Sequence, residues 1–482
     1  MTHDDQARNW RGISLWMAEL DEPLTPRPPL AGEISADIAI IGAGYTGLWT
    51  AYYLKTRAPE LNIAVVEAEI AGFGASGRNG GWVMGALLGE DRIVGHLPEP
   101  RRRESWNLLH AIPDEVGRVT QQEAIACDFR KGGTLYCAAR YKEQAHRLRG
   151  WLTGMHTQEG LSEADVSWLS PAALTQELRI PGALGAVYTP HCATIQPARL
   201  VRGLAATVER LGVKIYEKSP VTQWRPGEIR TAQGVVKADW VVPAVEGYAA
   251  SLPPLNEHRL GDYQLPVQSL LVATAPLPED VWAGIGLARG QSFSEFSRQV
   301  TYGQRTADNR LVFGARGGYQ FGGRLRTDFT LTEAEEGLRG YLLGEIFPQL
   351  KGVEITHRWG GNLGMSRRFQ PHMLLDGKNR IALSGGYGGE GVGAANLGGR
   401  TLADLILGRD SVETRQPWVI KDQTMRQALR RWEPEPLRWL GYNAIIASFV
   451  HEDKVLANQH SAPWRRQLAQ ALAARMEGLM QG

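Results

Sequence analysis

The chain has 482 residues, of which 43% are hydrophobic and 22% charged, and its formal net charge at pH 7 is +2. This length predicts two or three domains, and the small net charge argues against a dedicated nucleic-acid-binding protein. No uninterrupted apolar run approaches the roughly 18 residues of a membrane span, and the first residues lack the basic and apolar regions of a signal peptide.

Residues 1–35 are predicted to form an N-terminal arm. Pro23, Pro26, Pro28 and Pro29 favour extended chain there. Two interpretations remain open at this point: an arm that lies against the body, and a mobile terminus.

The next segment predicts a dinucleotide-binding βαβ unit. An apolar run at residues 38–41 is typical of a buried strand, and a second apolar run at residues 63–66 ends at Glu67, about 20 residues after Gly47. The turn between strand and helix reads Gly42, Ala43, Gly44, Tyr45, Thr46, Gly47. In such a turn the first glycine permits a tight bend, the second lets a pyrophosphate approach the backbone, and the third lets the helix pack close to the strand. Glu67 is in place to accept hydrogen bonds from ribose hydroxyls.

The segment after Glu67, GFGASGRNGG at residues 72–81, is too small and polar to be core. Together with the βαβ unit it resembles the FAD-binding oxidoreductases of the D-amino-acid oxidase (DAO) superfamily, most of all gamma-glutamylputrescine oxidases, glycine oxidases and sarcosine oxidases. The resemblance covers about residues 15 to 410. It implies FAD as the cofactor and adds these cofactor-binding residues: Ala68, Gly74, Ser76, Arg78, Asn79, Gly80 and Gly81.

Later segments extend the resemblance. Val221 corresponds to a position whose backbone meets the adenine in related flavoproteins. A second strand-to-helix turn rich in glycine adds further cofactor-binding candidates: Gly386, Gly388, Gly389, Glu390, Gly391 and Val392. A helix N-terminus at this turn is expected to stabilise the negative charge of reduced flavin. No cysteine lies in the C-terminal half and Arg78 occupies a loop where some relatives have histidine, so noncovalent FAD is expected.

The predicted fold class is α/β. A Rossmann-like FAD-binding domain of the glutathione-reductase type is joined by an α+β substrate domain with an antiparallel sheet and by a helical C-terminal extension. The predicted boundaries are 1–35 for the arm; 36–110, 186–260 and 351–410 for a discontinuous FAD-binding domain; 111–185 and 261–350 for the substrate-binding domain; and 411–482 for the extension.

Four residues are candidates for the catalytic site: Trp82, Tyr302, Arg316 and Glu390. Trp82 follows the flavin loop, and Tyr302 and Arg316 lie on a predicted hairpin of the pocket sheet, where Arg316 is suited to grip a carboxylate. A core aromatic and a surface arginine are the alternatives for those two. Many relatives have histidine at the position of Glu390. An acid there is suited to attract a cationic amine, or alternatively to bind nearby backbone N–H groups.

The resemblance implies oxidation of the C–N bond of a primary or secondary amine or amino acid. Hydride passes to flavin N5, the imine hydrolyses, and O2 re-oxidises the flavin to give H2O2. Two alternatives stay open: a flavin dehydrogenase that passes electrons to a quinone or other carrier, and a binding protein whose FAD is structural.

Cysteine usage and the C-terminus suggest location and contacts. Cys127, Cys137 and Cys192 have neither CxxC nor zinc spacing, which predicts inert thiols in a cytoplasmic protein without a metal site. Trp464, Leu468, Leu472 and Met476 recur every four residues beside arginines, which predicts an amphipathic helix. Its apolar stripe is expected to pack on the body or a second subunit, or alternatively to touch a membrane surface.

Overall fold

The computed structural model describes residues 9–255 and 259–481. Its strands are β1 Gly32–Ile41, β2 Ile63–Val66, β3 Trp82–Met84, β4 Arg130–Lys131, β5 Thr134–Cys137, β6 Ser167–Leu169, β7 Ala186–Thr189, β8 Cys192–Thr194, β9 Lys214–Tyr216, β10 Val221–Arg225, β11 Glu228–Thr231, β12 Gly234–Pro243, β13 Gln264–Thr274, β14 Ser292–Glu295, β15 Tyr302–Arg305, β16 Leu311–Tyr319, β17 Ile355–Ser366, β18 His372–Asp376, β19 Ile381–Gly385 and β20 Val419–Lys421. Its α-helices are α1 Leu15–Ala18, α2 Tyr45–Arg57, α3 Glu90–Val94, α4 Glu99–His110, α5 Ile112–Gln122, α6 Lys142–Thr157, α7 Pro171–Glu177, α8 Pro197–Arg210, α9 Glu279–Ile285, α10 Glu333–Ile346, α11 Gly391–Ile406, α12 Met425–Ala428, α13 Leu437–Ala457 and α14 Pro463–Gln481.

The nucleotide-binding half is built on a mixed sheet. Within the described residues it has nine strands in the order β20-β18-β19-β12-β1-β2-β9, with the β10–β11 hairpin attached through β11 to β12. Strand β1 pairs in parallel with β12 and with β2, and β2 pairs in parallel with β9. The apolar runs predicted at residues 38–41 and 63–66 are buried in β1 and β2. Parallel strands need cover on both faces, which explains why both runs are continuously apolar.

A second sheet covers the loop that follows β2. Its order in the described chain is β17-β13-β16-β15-β14-β5-β7-β6, and the predicted hairpin pairs Tyr302 of β15 with Gly314 of β16. The indole Nε1 of Trp359 donates to the carbonyl of Arg78 at 2.8 Å, and the amide of Gln304 donates to the carbonyl of Gly80 at 2.6 Å. These bonds fix the loop between the two sheets.

The division into domains stays a prediction, but two strands cross its boundaries. Strand β17 lies in the stretch predicted for the FAD-binding domain, yet it pairs along its length with β13 of the second sheet. Strand β7, also assigned to that domain, pairs with β5 of the second sheet. A strand follows its hydrogen-bonding partner, and the sequence gives no direct signal of that partner.

The N-terminal arm lies against the body from residue 9 onward. Trp16 is buried and its indole donates to the carbonyl of Asn79 at 2.7 Å, and the Ser14 hydroxyl donates to the carbonyl of Gly77 at 2.7 Å. The arm therefore holds the loop of residues 72–81 through two direct hydrogen bonds.

The C-terminal helices α13 and α14 pack against each other and against the second sheet. On α14 the small residues Ala469 and Ala473 face inward, whereas Trp464, Leu468 and Leu472 are exposed. Of the predicted stripe Met476 packs on the chain's own body, against the cluster that includes Ile445 and Phe449, whereas for the other three residues the expectation of such packing is wrong. Among the described helices none is both long enough and apolar enough to cross a membrane. The three cysteines are buried and unpaired, as predicted.

Candidate active site

The first glycine-rich turn has the geometry expected from its sequence. Gly42 adopts φ +105°, where a side chain is strained, and a Cβ on it would lie 2.8 Å from the carbonyl oxygen of Ala244. A Cβ on Gly47 would overlap the carbonyl oxygen of Gly42, so only glycine lets α2 start this close to β1. At Gly44 an added Cβ would lie 3.0 Å from Ser76 Oγ, and this oxygen accepts a hydrogen bond from the Tyr45 backbone at 2.9 Å.

Glu67 stands at the end of β2 and lines the same cleft. Its two carboxylate oxygens accept backbone hydrogen bonds from Ala43 at 2.7 Å and from Glu69 at 2.9 Å. Burial raises the pKa of Glu67 to about 7, against the lowering effect of these two bonds. Each oxygen keeps a second lone pair for a ligand hydroxyl.

The loop after Glu67 is held rigidly by its own polar residues. The Arg78 side chain is buried between the rings of Phe73 and Phe329, at 4.9 and 5.3 Å, and donates to the carbonyl of Phe73. The Asn79 amide donates to the carbonyl of Ser76 at 2.9 Å, while its oxygen accepts from the backbone of Gly81 at 2.8 Å. The loop is therefore preorganised.

These elements enclose a cleft with a cavity volume of about 350 Å³. Among the predicted cofactor residues, those that line it are Gly42, Gly44, Tyr45, Thr46, Glu67, Ala68, Gly74, Ser76, Arg78, Asn79, Val221, Gly388, Gly389, Gly391 and Val392. The predicted residues outside this lining are Ala43, Gly47, Gly80, Gly81, Gly386 and Glu390. Gly47 is outside because it faces the strand, and Gly80 because it faces the ring of Tyr302. The cofactor contacts of all these residues stay predictions.

Chemistry at the cleft fits a dinucleotide. Gly388 has φ +55° and lines the cleft just before α11 begins at Gly391, so that helix N-terminus opens onto it. Glu246, between β12 and the second sheet, has a buried oxygen Oε1 without a hydrogen-bond partner among the described residues, while its other oxygen accepts from Gly364 at 2.7 Å. An orphaned acceptor on the cleft wall calls for a ligand hydroxyl or water. Two helix N-termini, an acid and an orphaned acceptor together suit phosphate and ribose groups.

Of the four predicted catalytic residues, the structure brings Trp82 and Tyr302 together. Their rings meet edge to face with centroids 6.1 Å apart, directly beside Gly80. Burial raises the pKa of Tyr302 to about 12, and its hydroxyl hydrogen-bonds that of Ser269. Tyr302 is thus a neutral hydroxyl in the wall next to the loop.

Glu390 is not part of the Trp82–Tyr302 contact and lies at the N-terminus of α11. Burial raises its pKa to about 7, and its carboxylate acts electrostatically on Glu90, Tyr136 and Cys192. Burial also raises the pKa of Glu90 to about 8, with further contributions from Asp91 and then from Glu390. Two acids with such values form a candidate cation site.

Arg316 points to the C-terminal extension. Its guanidinium lies 5.7 Å from the ring centroid of Phe449 and interacts with Tyr442, both on α13. Its Nε atom is buried and has no hydrogen-bond partner in the described part of the chain. The surface-arginine alternative therefore does not hold for this atom.

Sequence reasoning missed three contributors. Glu90 is the first of two adjacent acids, Glu90 and Asp91, at the start of a helix of five residues, and no local pattern marks it as a site residue. Arg326 lines the cleft from a loop after β16, again without a motif. Tyr387 could have been found from the sequence, because it lies inside the second glycine-rich turn. Its hydroxyl donates to the hydroxyl of Ser384 at 2.8 Å and lies 3.2 Å from that of Thr46.

A separate cluster brings His110, Asp165 and His191 together from three distant segments. Their candidate ligand atoms all lie within 4.8 Å of one another. The two imidazoles, however, stack with centroids 3.7 Å apart and 9° between their planes. Nitrogen lone pairs in parallel planes do not converge on one ion, so the cluster is better described as two neutral histidines sharing one carboxylate.

Comparison with known proteins agrees with this geometry. The family model described as DAO, FAD dependent oxidoreductase, matches residues 37–405. Gamma-glutamylputrescine oxidoreductase of Escherichia coli strain K12 is 30% identical over 394 residues, which cover 80% of this chain and 86% of that protein. Two solved structures share the fold. Glycine oxidase from Bacillus cereus has a TM-score of 0.62 and 20% identity, and the match covers 83% of this chain and 100% of that one. L-proline dehydrogenase from P. horikoshii has a TM-score of 0.64 and 20% identity, and the match covers 84% of this chain and 100% of that one.

Proposed function

The chain belongs to the DAO family of FAD-dependent oxidoreductases, and from that premise we propose that it oxidises a C–N bond in a primary or secondary amine or an amino acid. When bound, FAD supplies the acceptor for the hydride that leaves the carbon beside the nitrogen. The residues of the chain hold the cofactor, position the substrate and control its charge.

We assign the pyrophosphate to the turn at Gly42 and Gly44, and the ribose of the adenosine half to Glu67. The assignment is supported by the open approach at Gly44, where Ser76 Oγ is the nearest atom to an added Cβ. Ribose hydroxyls that donate to Glu67 would favour its ionised form, against the burial that raises its pKa to about 7.

One observation carries the proposed substrate class: the pair of acids Glu90 and Glu390 beside the second glycine-rich turn. Burial raises the pKa of both acids, to about 7 for Glu390 and to about 8 for Glu90. Both groups therefore ionise near neutral pH, and a charge on one disfavours a charge on the other. A buried carboxylate is stabilised by a cation, and the substrate amine arrives protonated at neutral pH. We propose that Glu390 attracts this ammonium group.

Arg316 extends the proposal from simple amines to amino acids. Its partnerless Nε atom is suited to bind a carboxylate, and Phe449 would shield that contact from water. We propose that the acid pair and this guanidinium bind the amine and the carboxylate of one substrate. The relative named gamma-glutamylputrescine oxidoreductase supports this class, because its named substrate contains both groups.

We take O2 as the electron acceptor, with H2O2 as product; the alternative is a dehydrogenase that uses a quinone or another carrier. We place the reaction in the cytoplasm, which is supported by three buried cysteines that form no disulfide.

The test is an anaerobic screen of the purified yellow protein against amines, N-methylated amines and amino acids, with flavin absorbance as the readout. At least one cationic amine should bleach the flavin, whereas the matching alcohol, which has no nitrogen, should not. Peroxide formed per substrate after admission of air then separates an oxidase from a dehydrogenase. Failure of every amine to bleach the flavin would favour a binding protein with structural FAD.

A further inference from the structure

The outer face of helix α14 is unusually apolar for a surface. Trp464 is 63% exposed, Leu468 62% and Leu479 59%, and Leu472 lies between them on the same face. Six of the ten large apolar side chains that are most exposed in the described chain belong to α13 and α14. Clustered exposure of this kind marks an interaction surface.

The orientation of α14 is fixed by contacts on its inner side. At its start Arg466 forms an ion pair with Glu143 at 2.7 Å, and near its end Glu477 pairs with Arg298. The carbonyl of Met480 also accepts a hydrogen bond from Arg367 at 2.7 Å. Because these contacts hold both ends of the helix, it cannot rotate about its axis to bury its large apolar residues. Ala469 and Ala473 therefore pack inward, and the leucines face outward.

On α13 and α14 the negative charges are paired within the protein and the exposed charges are positive. All three carboxylates of α13 and α14 are engaged in ion pairs: Glu452 with Arg147 and Arg298, Asp453 with Arg140, and Glu477 with Arg298. Lys454, Arg465 and Arg475 are exposed and form no ion pair with any residue that the structure describes. The outward charges are therefore cationic.

We propose that the outer face of α14 docks on an anionic membrane surface, lying in the plane of the interface. A helix of 19 residues is about 28 Å long. Leucines on its outward side with a tryptophan near one end and arginines beside them match the pattern of interfacial helices. A second copy of the chain is the less favourable occupant, because a two-fold contact through this face would bring like cations together.

The test is flotation of the FAD-loaded full-length protein with vesicles of phosphatidylcholine alone, or with about 30% phosphatidylglycerol. Binding to the anionic vesicles is expected, with weaker binding at high salt and on neutral vesicles. The double substitution Leu468→Gln/Leu472→Gln should weaken partitioning about tenfold or more, because the apolar contacts are lost. Arg465→Gln/Arg475→Gln should abolish most of the preference for anionic lipid.

Leu184→Gln serves as the matched control, since Leu184 is a leucine exposed elsewhere on the protein. It should leave partitioning unchanged. Flavin content and melting temperature check that each variant is folded. Absence of binding to anionic vesicles, or binding that both double variants retain, would overturn the proposal. Wild-type dimers that the leucine variant converts to monomers, without vesicle binding, would instead assign this face to a second copy.

Discussion

Glu390→Gln is the sharpest test of how this protein selects its substrate. The substitution keeps the size of the side chain and removes its charge. If Glu390 attracts the substrate ammonium, KM for cationic amines should rise about tenfold, which corresponds to about 1.4 kcal/mol. KM for an anionic or neutral substrate should change little.

The expected magnitude assumes that the ammonium group binds about 10 Å from the carboxylate of Glu390. Two unit charges about 10 Å apart at an effective dielectric constant of about 20 interact by about 1.7 kcal/mol. Burial raises the pKa of Glu390 to about 7, so this attraction develops only as pH rises through that value. In the wild type KM for a cationic amine should fall from pH 6 to pH 8, and in the variant this fall should be much smaller.

The companion variant is Glu90→Gln, with Glu163→Gln as a remote control because its side chain is 78% exposed. Burial raises the pKa of Glu90 to about 8, and Glu390 is among the charges that raise it further. We expect Glu90→Gln to affect KM less than Glu390→Gln, because Glu390 is the residue that directly precedes α11 in the second glycine-rich turn, and we expect the remote control to have no effect.

The assay is steady-state KM with one cationic and one anionic substrate, together with flavin content for every variant. An equal change of KM for both substrates, with flavin retained, would remove Glu390 from the substrate site. Loss of flavin from Glu390→Gln would instead mean that the side chain supports the backbone around the cofactor.

The remaining predictions concern cofactor and stability. Acid precipitation should release all FAD into the supernatant; flavin that stays with the denatured protein would contradict noncovalent binding. Gly44→Val should abolish FAD binding, because the branched side chain occupies the approach of the pyrophosphate, and normal flavin content would refute that placement. Gly47→Ala should lower the melting temperature by several degrees, since its Cβ overlaps the backbone of Gly42, whereas Gly337→Ala on α10, with open space around it, should stabilise slightly. Burial lowers the pKa of His372 to about 4, so protonation favours the unfolded chain and stability falls as pH falls from about 6.5 to 4; in His372→Gln this part of the pH dependence of unfolding should disappear.

Local signals predicted the cofactor half of the molecule well. The turn at Gly42, the helix that starts beside it and the strand ending at Glu67 are each determined by neighbouring residues, through φ preference, close packing and apolar runs. These features depend on residues that are close in sequence and little on distant parts of the chain. That is why one βαβ unit predicted both the position of the first sheet and the cleft.

The substrate side depends on pairings that no local pattern encodes. Glu90 and Glu390 are 300 positions apart in the sequence, and only the tertiary fold brings them close enough for Glu390 to raise the pKa of Glu90. The periodicity of α14 likewise predicted an amphipathic helix but not the side that faces out. That side is decided by Arg466 and Glu477, whose partners lie on α6 and beside β14.

The two faces of the C-terminal helices have separate consequences for function. On the inner face Phe449 of α13 covers the guanidinium of Arg316, and the hydroxyl of Tyr442 donates to the carbonyl of Gly317 at 3.3 Å. On the outer face the leucines of α14 touch nothing in the described chain that would bury them. Because Arg298 bridges Glu452 of α13 and Glu477 of α14, ion pairs join the two helices in addition to their direct packing. Docking of the outer face would therefore hold the wall beside Arg316 in place, so vesicles that bind the protein should change KM for carboxylate-bearing substrates more than for simple amines.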